Sequence, residues 1–187
     1  KLRWEKLQLN PADGEKKFSV VDAKHWWASC RKTDACAVQT GEQAEKFLFY
    51  ETERVSGLGF VTASAKDGRW TAQNRGTWTA QNLLLITDKD STALSSLPRD
   101  ASEAMKPSDE KPRALLLASL LKAGLYNKEA EAFLATWWDS VLGKPGARLV
   151  YFMPPEEWEA TAPVTFSVKP KELKRVIVIS REIKPEK

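Results

Sequence analysis

The pattern of apolar and polar positions is most regular between Pro112 and Leu142. Pro112 suits a first helical turn, and leucines from Leu116 to Leu121 then fall on one side of a helix. Gly124 fits the left-handed position that ends many helices. Asn127 is expected to cap a second helix, whose apolar positions follow the 3.6-residue period. The pattern therefore predicts a two-helix hairpin, with the aromatic face of its second helix packed on a sheet.

Short apolar runs between Gly and Pro residues predict the strands of that sheet. The runs Lys46–Glu51 and Leu149–Met153 are uniformly apolar at their centres, which is typical of strands buried on both faces. Leu58–Ala63 is a further strand candidate with weaker patterning. Val164, Phe166 and Val168 alternate with Thr and Ser, which predicts a half-exposed strand. Val176–Ile179 is the last predicted strand.

An internal repeat predicts a β-hairpin. The string Trp-Thr-Ala-Gln-Asn occurs at Trp70–Asn74 and again at Trp78–Asn82, and Gly76 lies between the two copies. Asn-x-Gly is good turn chemistry, so we expect the two copies to pair as neighbouring strands. Within each copy, alternation sends Trp and Ala to one face.

The polar stretch Thr87–Lys111 contains little apolar sequence and is interpreted as a long exposed connection. The predicted fold class is α+β: mainly antiparallel β, sandwich-like, with a two-helix hairpin packed on the sheet. The chain of 187 residues is long enough for one domain with a substantial core. Within that domain we expect a β-rich region over residues 1–87, the connection 88–111, the helical hairpin 112–142 and closing strands 147–182.

Eight tryptophans are many for this length. Most are expected in the core, because large aromatic side chains dominate core packing. The alternative is that a few are exposed and bind sugars, another small ligand or a protein partner. The candidates for that role are Trp26, Trp27, Trp70 and Trp78.

Charge is concentrated at the C-terminus. Residues 168–187 hold seven Lys/Arg and three Asp/Glu, which accounts for the net charge of +4, so the rest of the chain is neutral. A short basic tail is a candidate contact for a membrane surface or an acidic partner. It lacks the broad basic stripe with interleaved aromatic residues that nucleic-acid binding requires, so no nucleic acid is expected.

Candidate catalytic residues are few. His25 is the lone histidine; a hydrolase would need it beside Asp22 or Asp34, or beside Cys30 as nucleophile. A packed, hydrogen-bonded His25 is the favoured interpretation. Cys30 and Cys36 form either a small disulfide loop, if the protein is exported, or two unconnected thiols. Their spacing fits no zinc motif, and we expect no metal or cofactor.

Several strings together resemble an uncharacterised family of exported bacterial proteins. They are Trp27–Ala35 (Trp-x-x-x-Arg-x-Thr-Asp-Ala), Glu45–Tyr50 (Glu-Lys-Phe-Leu-Phe-Tyr), Gly124–Asp139, Arg148–Pro154 and Lys169–Val176. The chain departs from that family's Arg-Gly at Glu51 and Thr52. The resemblance implies a periplasmic or extracellular protein without known catalysis, and it transfers no active-site residue.

The chain begins at Lys1, which is expected of a processed N-terminus or an excised fragment. The predicted function is a non-catalytic interaction or assembly module of the bacterial cell envelope, in partnership with a protein or a larger assembly. Carbohydrate or small-ligand binding through exposed tryptophans is the alternative, and a hydrolase using His25 is the least favoured one.

Overall fold

The computed structural model of the protein describes residues 2–12, 14–51, 60–88 and 90–183. The described residues belong to two compact units. Unit 1 lies within Lys1–Arg54 and Tyr126–Trp137, and unit 2 lies within Val55–Leu125 and Trp138–Lys187. The fold is α+β, and its sheets are mostly antiparallel.

Most of the secondary-structure elements are strands, and helices separate some of them along the chain. The strands are β1 Gln8–Leu9, β2 Val38–Thr40, β3 Gln43–Glu45, β4 Val61–Lys66, β5 Arg69–Asn74, β6 Ala80–Ile86, β7 Ser91–Leu97, β8 Ser102–Ala104, β9 Lys106–Ser108, β10 Ala147–Met153 and β11 Ile177–Ile183. The α-helices are α1 Pro112–Lys122, α2 Asn127–Trp137 and α3 Pro155–Thr161. Two 3₁₀ helices, Gly14–Lys17 and Ala28–Lys32, lie in unit 1.

Unit 2 is built on a five-stranded sheet in the order β11-β10-β6-β7-β9. Its inner strand β10 is buried over Leu149–Met153, as the uniformly apolar run predicts. The last predicted strand is also confirmed, because β11 pairs with β10 along its whole length. A second sheet, β4-β5-β8, contributes Val61 and Ala72 to the same hydrophobic cluster as Leu85 and Tyr151. The predicted strand at Leu58–Ala63 begins at Val61, and Leu58 and Gly59 lie outside the described residues.

The hairpin predicted from the repeat is wrong. The first copy forms most of β5, which pairs with β4 and β8, whereas the second copy runs into β6 of the five-stranded sheet. Asn74 explains the difference. Its buried side-chain amide donates to the carbonyls of Trp78 and Leu97, and its oxygen accepts from the N–H of Gly76, so residues 75–79 connect two sheets. The predicted alternation, which sends Trp and Ala of each copy to one face, agrees with the structure, since Ala72, Trp78 and Ala80 belong to one hydrophobic cluster and Trp70 packs against it.

The exposed connection predicted for Thr87–Lys111 is also wrong. This stretch forms β7, β8 and β9, and β7 lies between β6 and β9. Its polar residues can be buried because strand pairing satisfies the backbone, and Ser91 donates its hydroxyl hydrogen to the carbonyl of Glu110. Backbone hydrogen bonding between neighbouring strands therefore determines the structure of this stretch, and the pattern of apolar residues does not predict such bonding.

Both predicted helices form. Helix α1 begins at Pro112 and ends in a Schellman motif, with Gly124 at φ +105° and the N–H of Leu125 bonded to the carbonyl of Leu120. It packs against β6. Helix α2 differs at its start, because Glu129 accepts from the N–H of Tyr126, which places Tyr126 rather than Asn127 at the cap.

Helix α2 belongs to unit 1, where it packs against the 3₁₀ helix Ala28–Lys32. Its predicted extension to Leu142 takes a different form, since Trp138–Leu142 is a π-helical turn. Gly143 follows, and a Cβ there would lie 2.6 Å from Nε1 of Trp138, so only glycine fits. The docking of the helical pair as a hairpin on the sheet stays a prediction.

Two other predicted strands do not form. Residues 46–51 have no strand pairing with any described residue, and Leu48, Phe49 and Tyr50 are exposed, although a doubly buried strand was expected there. Residues 164–168 are likewise exposed, and within the described part of the chain they pair with no strand. In both cases the side-chain pattern is compatible with a strand, but a strand also requires a neighbour with free backbone groups.

Candidate functional site

The most distinctive surface of unit 1 is a group of aromatic rings that we call the aromatic patch: Trp4, Trp26, Phe49, Tyr50 and Trp137. The Trp26 ring lies 4.8 Å from Phe49 in a T-shaped arrangement and 5.9 Å from Trp137. Trp4 and Tyr50 form a second T-shaped pair at 5.6 Å. Trp26 is 40% exposed and Tyr50 is 50% exposed. These rings therefore pack on one another, and all of them except the half-buried Trp137 keep much of their surface in water.

A succession of tight turns presents Trp26. The Asp22 carboxylate accepts from the N–H of Lys24 at 2.7 Å, and the Asp22 carbonyl accepts from the N–H of His25. The carbonyl of His25 then accepts from Ala28, where the 3₁₀ helix begins. Aspartate favours such turns because its short side chain bonds to the backbone two residues on. Trp26 lies in the middle of this hydrogen-bonded segment.

Arg31 holds this segment to the rest of unit 1. Its guanidinium pairs with both carboxylate oxygens of Glu45 and donates to the carbonyl of Ser19. It also lies over the rings of Trp27, at 4.9 Å, and Phe18, at 5.1 Å. Hydrogen bonding to Glu45 raises the pKa of Arg31 above its usual value. Arginine is suited to this position because a planar guanidinium can form a bidentate pair and stack on aromatic faces at once.

Ser29 and Cys30 fasten the 3₁₀ helix to α2. The Ser29 hydroxyl lies 3.0 Å from the Thr136 hydroxyl and donates to the carbonyl of Ala132 at 3.3 Å. The Cys30 sulfur is 3.7 Å from the same Thr136 oxygen. Cys30 and Cys36 are both free thiols in the structure, and Cys36 is exposed. The disulfide between them stays a prediction for the oxidised, exported protein.

The candidate catalytic residues have separate partners. The His25 ring lies 4.8 Å from the Trp27 ring and 5.9 Å from the Trp26 ring, and His25 is exposed, so the packed, hydrogen-bonded histidine stays a prediction. Asp34 pairs with Lys128. Among the described residues, no hydrogen bond joins the His25 side chain to the side chain of Asp22, Asp34 or Cys30, and the described His, Cys, Asp and Glu residues form no group of three or more that could hold a metal ion.

The four candidate binding tryptophans divide between the units. Trp26 and Trp27 lie in unit 1, where Trp27 is half-buried and its ring packs against Phe47 at 5.2 Å. In unit 2, Trp78 is only 6% exposed and packs near Tyr151, and Trp70 is half-buried against the same cluster. Trp26 is therefore the candidate with the largest exposed fraction, and Trp78 offers a ligand almost no surface.

Sequence reasoning did not find Phe49 and Tyr50 as exposed residues, or Trp137 as a half-buried residue in the same patch. Four large apolar residues in succession resemble a buried strand, and no turn residue within Phe47–Tyr50 signals otherwise. The sequence feature that could have indicated exposure is the charged residue at each end of the run, Lys46 and Glu51. Such charges are compatible with an exposed segment as well as with the ends of a strand.

Unit 1 also has an open cleft of about 310 Å³ beside the start of α2. Lys32, Lys128 and Glu131 provide its charged groups, and Ser29 and Ala132 are among its other lining residues. Lys128 already pairs with Asp34, and the Ser29 hydroxyl is engaged with α2. The cleft therefore offers no convergent set of polar groups of the kind that orients a small ligand.

Tyr151 is a buried tyrosine of unit 2. Burial raises the pKa of its phenol, and this effect outweighs the opposing influences of Arg181 and of the hydrogen bond with the Val61 backbone. Arg181 itself donates to the Val61 carbonyl at 2.9 Å. Tyr151 and Val61 lie in the hydrophobic core of unit 2, with the half-buried Arg181 beside them, so these groups contribute to packing and not to an open site.

Comparison of the chain with models of protein families, with curated proteins and with solved structures gives no match. Within the part of the chain that the structure describes, none of the helices has the length and apolar character needed to cross a bilayer.

Proposed function

We propose that the chain is a non-catalytic interaction or assembly module of the bacterial cell envelope and that it contacts a protein partner through the aromatic patch. The observation that carries this proposal is the mutual packing of Trp26, Phe49 and Trp137 with Trp26 and Phe49 still exposed. Large aromatic residues are enriched at the centres of protein interfaces, where they account for much of the binding energy.

The packing of the rings supports the proposal for a second reason. Binding requires side chains to give up rotamer freedom, at about 0.5–1.5 kcal/mol for each mobile side chain that becomes fixed. Trp26 is held between Phe49 and Trp137 before any partner arrives, and Tyr50 is held by Trp4. A preordered aromatic surface loses less entropy on binding than the same residues would lose on a mobile loop.

The test is site-specific photocrosslinking in cells that make the protein. A photoreactive phenylalanine analogue replaces Leu48, which is exposed next to Phe49. We expect a discrete crosslinked product that disappears when Trp26→Ala and Phe49→Ala are added. The same analogue at Val20, a fully exposed residue of unit 1 outside the patch, is the control. Equal products at both positions, or no product at Leu48, would contradict the proposal.

Carbohydrate binding is the second candidate, and the exposure of Trp26 favours it, because an exposed indole face can stack on a sugar ring. Titration with cell-wall oligosaccharides would then quench tryptophan fluorescence, and Trp26→Ala would abolish the quenching. Unchanged fluorescence up to millimolar sugar would argue against a sugar site and leave the protein-partner proposal standing.

Location, family and packing complete the proposal. We propose a periplasmic or extracellular location and membership of the exported family that the sequence resembles. We also propose a sandwich-like packing of the two sheets of unit 2, with the α1–α2 pair as a hairpin on the sheet. The basic tail is proposed as a contact for an anionic membrane surface; its residues 184–187 lie outside the described residues. Cell fractionation tests the location, and sedimentation with anionic vesicles tests the membrane contact.

A further inference from the structure

The segment between Pro163 and Pro170, in unit 2, has the side-chain pattern of a strand without a strand partner. Val164, Phe166 and Val168 are 40%, 52% and 80% exposed, and they alternate with Thr165 and Ser167. Its residues have no strand pairing among the described residues, and the backbone bends at Ser167 and Val168. Regular alternation of β-branched and aromatic residues with hydroxyl residues is typical of a paired strand with one apolar face.

This segment is complementary to itself. If two copies pair antiparallel about Phe166, Val164 lies opposite Val168, Thr165 lies opposite Ser167, and Phe166 lies opposite its own counterpart. Each apolar residue then meets an apolar residue, and each hydroxyl meets a hydroxyl, which are favourable cross-strand pairs. We propose that a second copy of this chain covers the segment, in a two-fold symmetric dimer whose axis passes beside Phe166.

One hydrogen bond within the chain fixes how the two copies would pair. The N–H of Val164 donates to Oε1 of Glu159 at 3.3 Å, so it faces its own chain. Along a strand, residues two apart direct their N–H and C=O groups to the same side. The backbone groups of Phe166 therefore point the same way as those of Val164, away from the second copy. Thr165 and Ser167 therefore exchange the backbone hydrogen bonds. Phe166 occupies a position without backbone bonds, where Cα atoms are about 4.5 Å apart and side chains are closest.

The flanking charges agree with an antiparallel arrangement. Helix α3 precedes the segment and carries Glu156 and Glu157, whereas Lys169 and Lys171 follow it. In the proposed dimer, the acidic end of one copy meets the basic end of the other at both sides of the axis. A parallel arrangement would bring like charges together, and opposite charges favour the correct encounter.

The area involved is small, so the dimer is weak. Five residue pairs bury far less than the roughly 1,600 Å² of a standard stable interface. The bend at Ser167 and Val168 must also open before the outer pairs form. We expect dimerisation at protein concentrations on the order of 100 μM, a range typical of small or transient contacts. This surface lies in unit 2 and does not depend on the partner proposed for the aromatic patch.

Cysteine crosslinking tests the register. In a Cys30→Ser, Cys36→Ser background, Phe166→Cys places two thiols across the axis within disulfide range. We expect its dimer to form at least tenfold faster under mild oxidation than that of Val20→Cys, the matched exposed control. A mixture of Thr165→Cys and Ser167→Cys proteins should crosslink faster than either alone, because these positions oppose each other. Equal rates for Phe166→Cys and Val20→Cys would overturn the proposal.

Sedimentation equilibrium tests the dimer without crosslinking. Phe166→Lys places two ammonium groups face to face at the axis, and we expect the dimer dissociation constant to rise at least tenfold. Val20→Lys, and the Trp26→Ala, Phe49→Ala double variant, should leave it unchanged, since neither touches this segment. A wild-type chain that remains monomeric at millimolar concentration, or a dimer that Phe166→Lys leaves intact, would refute the inference. Loss of the dimer in the aromatic double variant would also refute it.

Discussion

Replacement of Asn74 by glycine should be among the most damaging single changes in unit 2. The Asn74 side chain is 1% exposed and makes three hydrogen bonds: it donates to Trp78 at 2.9 Å and Leu97 at 3.0 Å, and it accepts from Gly76 at 2.9 Å. Asn74→Gly leaves two carbonyls and one N–H without this partner. Because a buried polar group that loses its partner costs about 1–3 kcal/mol, we expect unfolding free energy to fall by about 3–4 kcal/mol.

The repeat offers a matched control. Asn82 is the last residue of the second copy, as Asn74 is of the first, but its side chain makes no hydrogen bond within the described part of the chain. Asn82 has φ +46°, in the region that glycine adopts without steric penalty. Asn82→Gly should therefore change the unfolding free energy by less than about 0.5 kcal/mol. The same substitution, after the same four residues, thus has two different expected outcomes.

Urea unfolding, followed by tryptophan fluorescence and by far-ultraviolet circular dichroism, measures both variants. Two units can unfold separately, so the comparison uses the transition in which the buried Trp78 becomes exposed, identified with Trp78→Phe. The unfolding free energies of Asn74→Gly and Asn82→Gly are compared directly. If they differ by less than about 1 kcal/mol, the buried Asn74 amide does not stabilise the connection 75–79 between the two sheets, and it does not explain why the two copies fail to form a hairpin.

The other predictions concern individual side chains. Arg31→Lys should lower the stability of unit 1 by about 1–2 kcal/mol in thermal unfolding, because lysine cannot reproduce the bidentate pair with Glu45. Trp78→Ala should cost about 3–5 kcal/mol, whereas Trp26→Ala, at an exposed ring, should cost less than about 1 kcal/mol. The Tyr151 pKa is raised in the folded state, so its stabilising contribution is complete below pH about 10 and is lost as pH rises further; Tyr151→Phe should flatten this alkaline decline in pH-dependent unfolding.

The parts of the fold that depend on local sequence could be predicted. Both helices, the strand at Leu149–Met153 and the glycine ending α1 follow from periodicity and backbone chemistry, and the structure has them. The prediction also placed Trp and Ala of each copy on one face. These features need only the residues within one element, because helix periodicity and strand alternation are local properties.

The parts that depend on partners could not be predicted. The two copies of the repeat have identical side chains, yet they enter different sheets because Asn74 bonds to Leu97, far along the chain. Likewise, Phe47–Tyr50 and Val164–Val168 have strand-like composition but find no neighbouring strand among the described residues. The aromatic patch was missed for this reason, since its members come from distant positions such as Trp4 and Trp137.

Unit 1 consists of two segments that are far apart in the sequence, and this separation has a consequence for biosynthesis. Its N-terminal segment needs α2, and the whole of Val55–Leu125 is made between the two. At about 5–20 residues per second, a ribosome takes roughly 4–14 s to cover that interval. During this time Ser29 and Cys30 have no Thr136 to bond, and Trp26 has no Trp137 beside it. The nascent N-terminal segment therefore emerges first but completes its fold late, and its indoles are open to chaperones meanwhile.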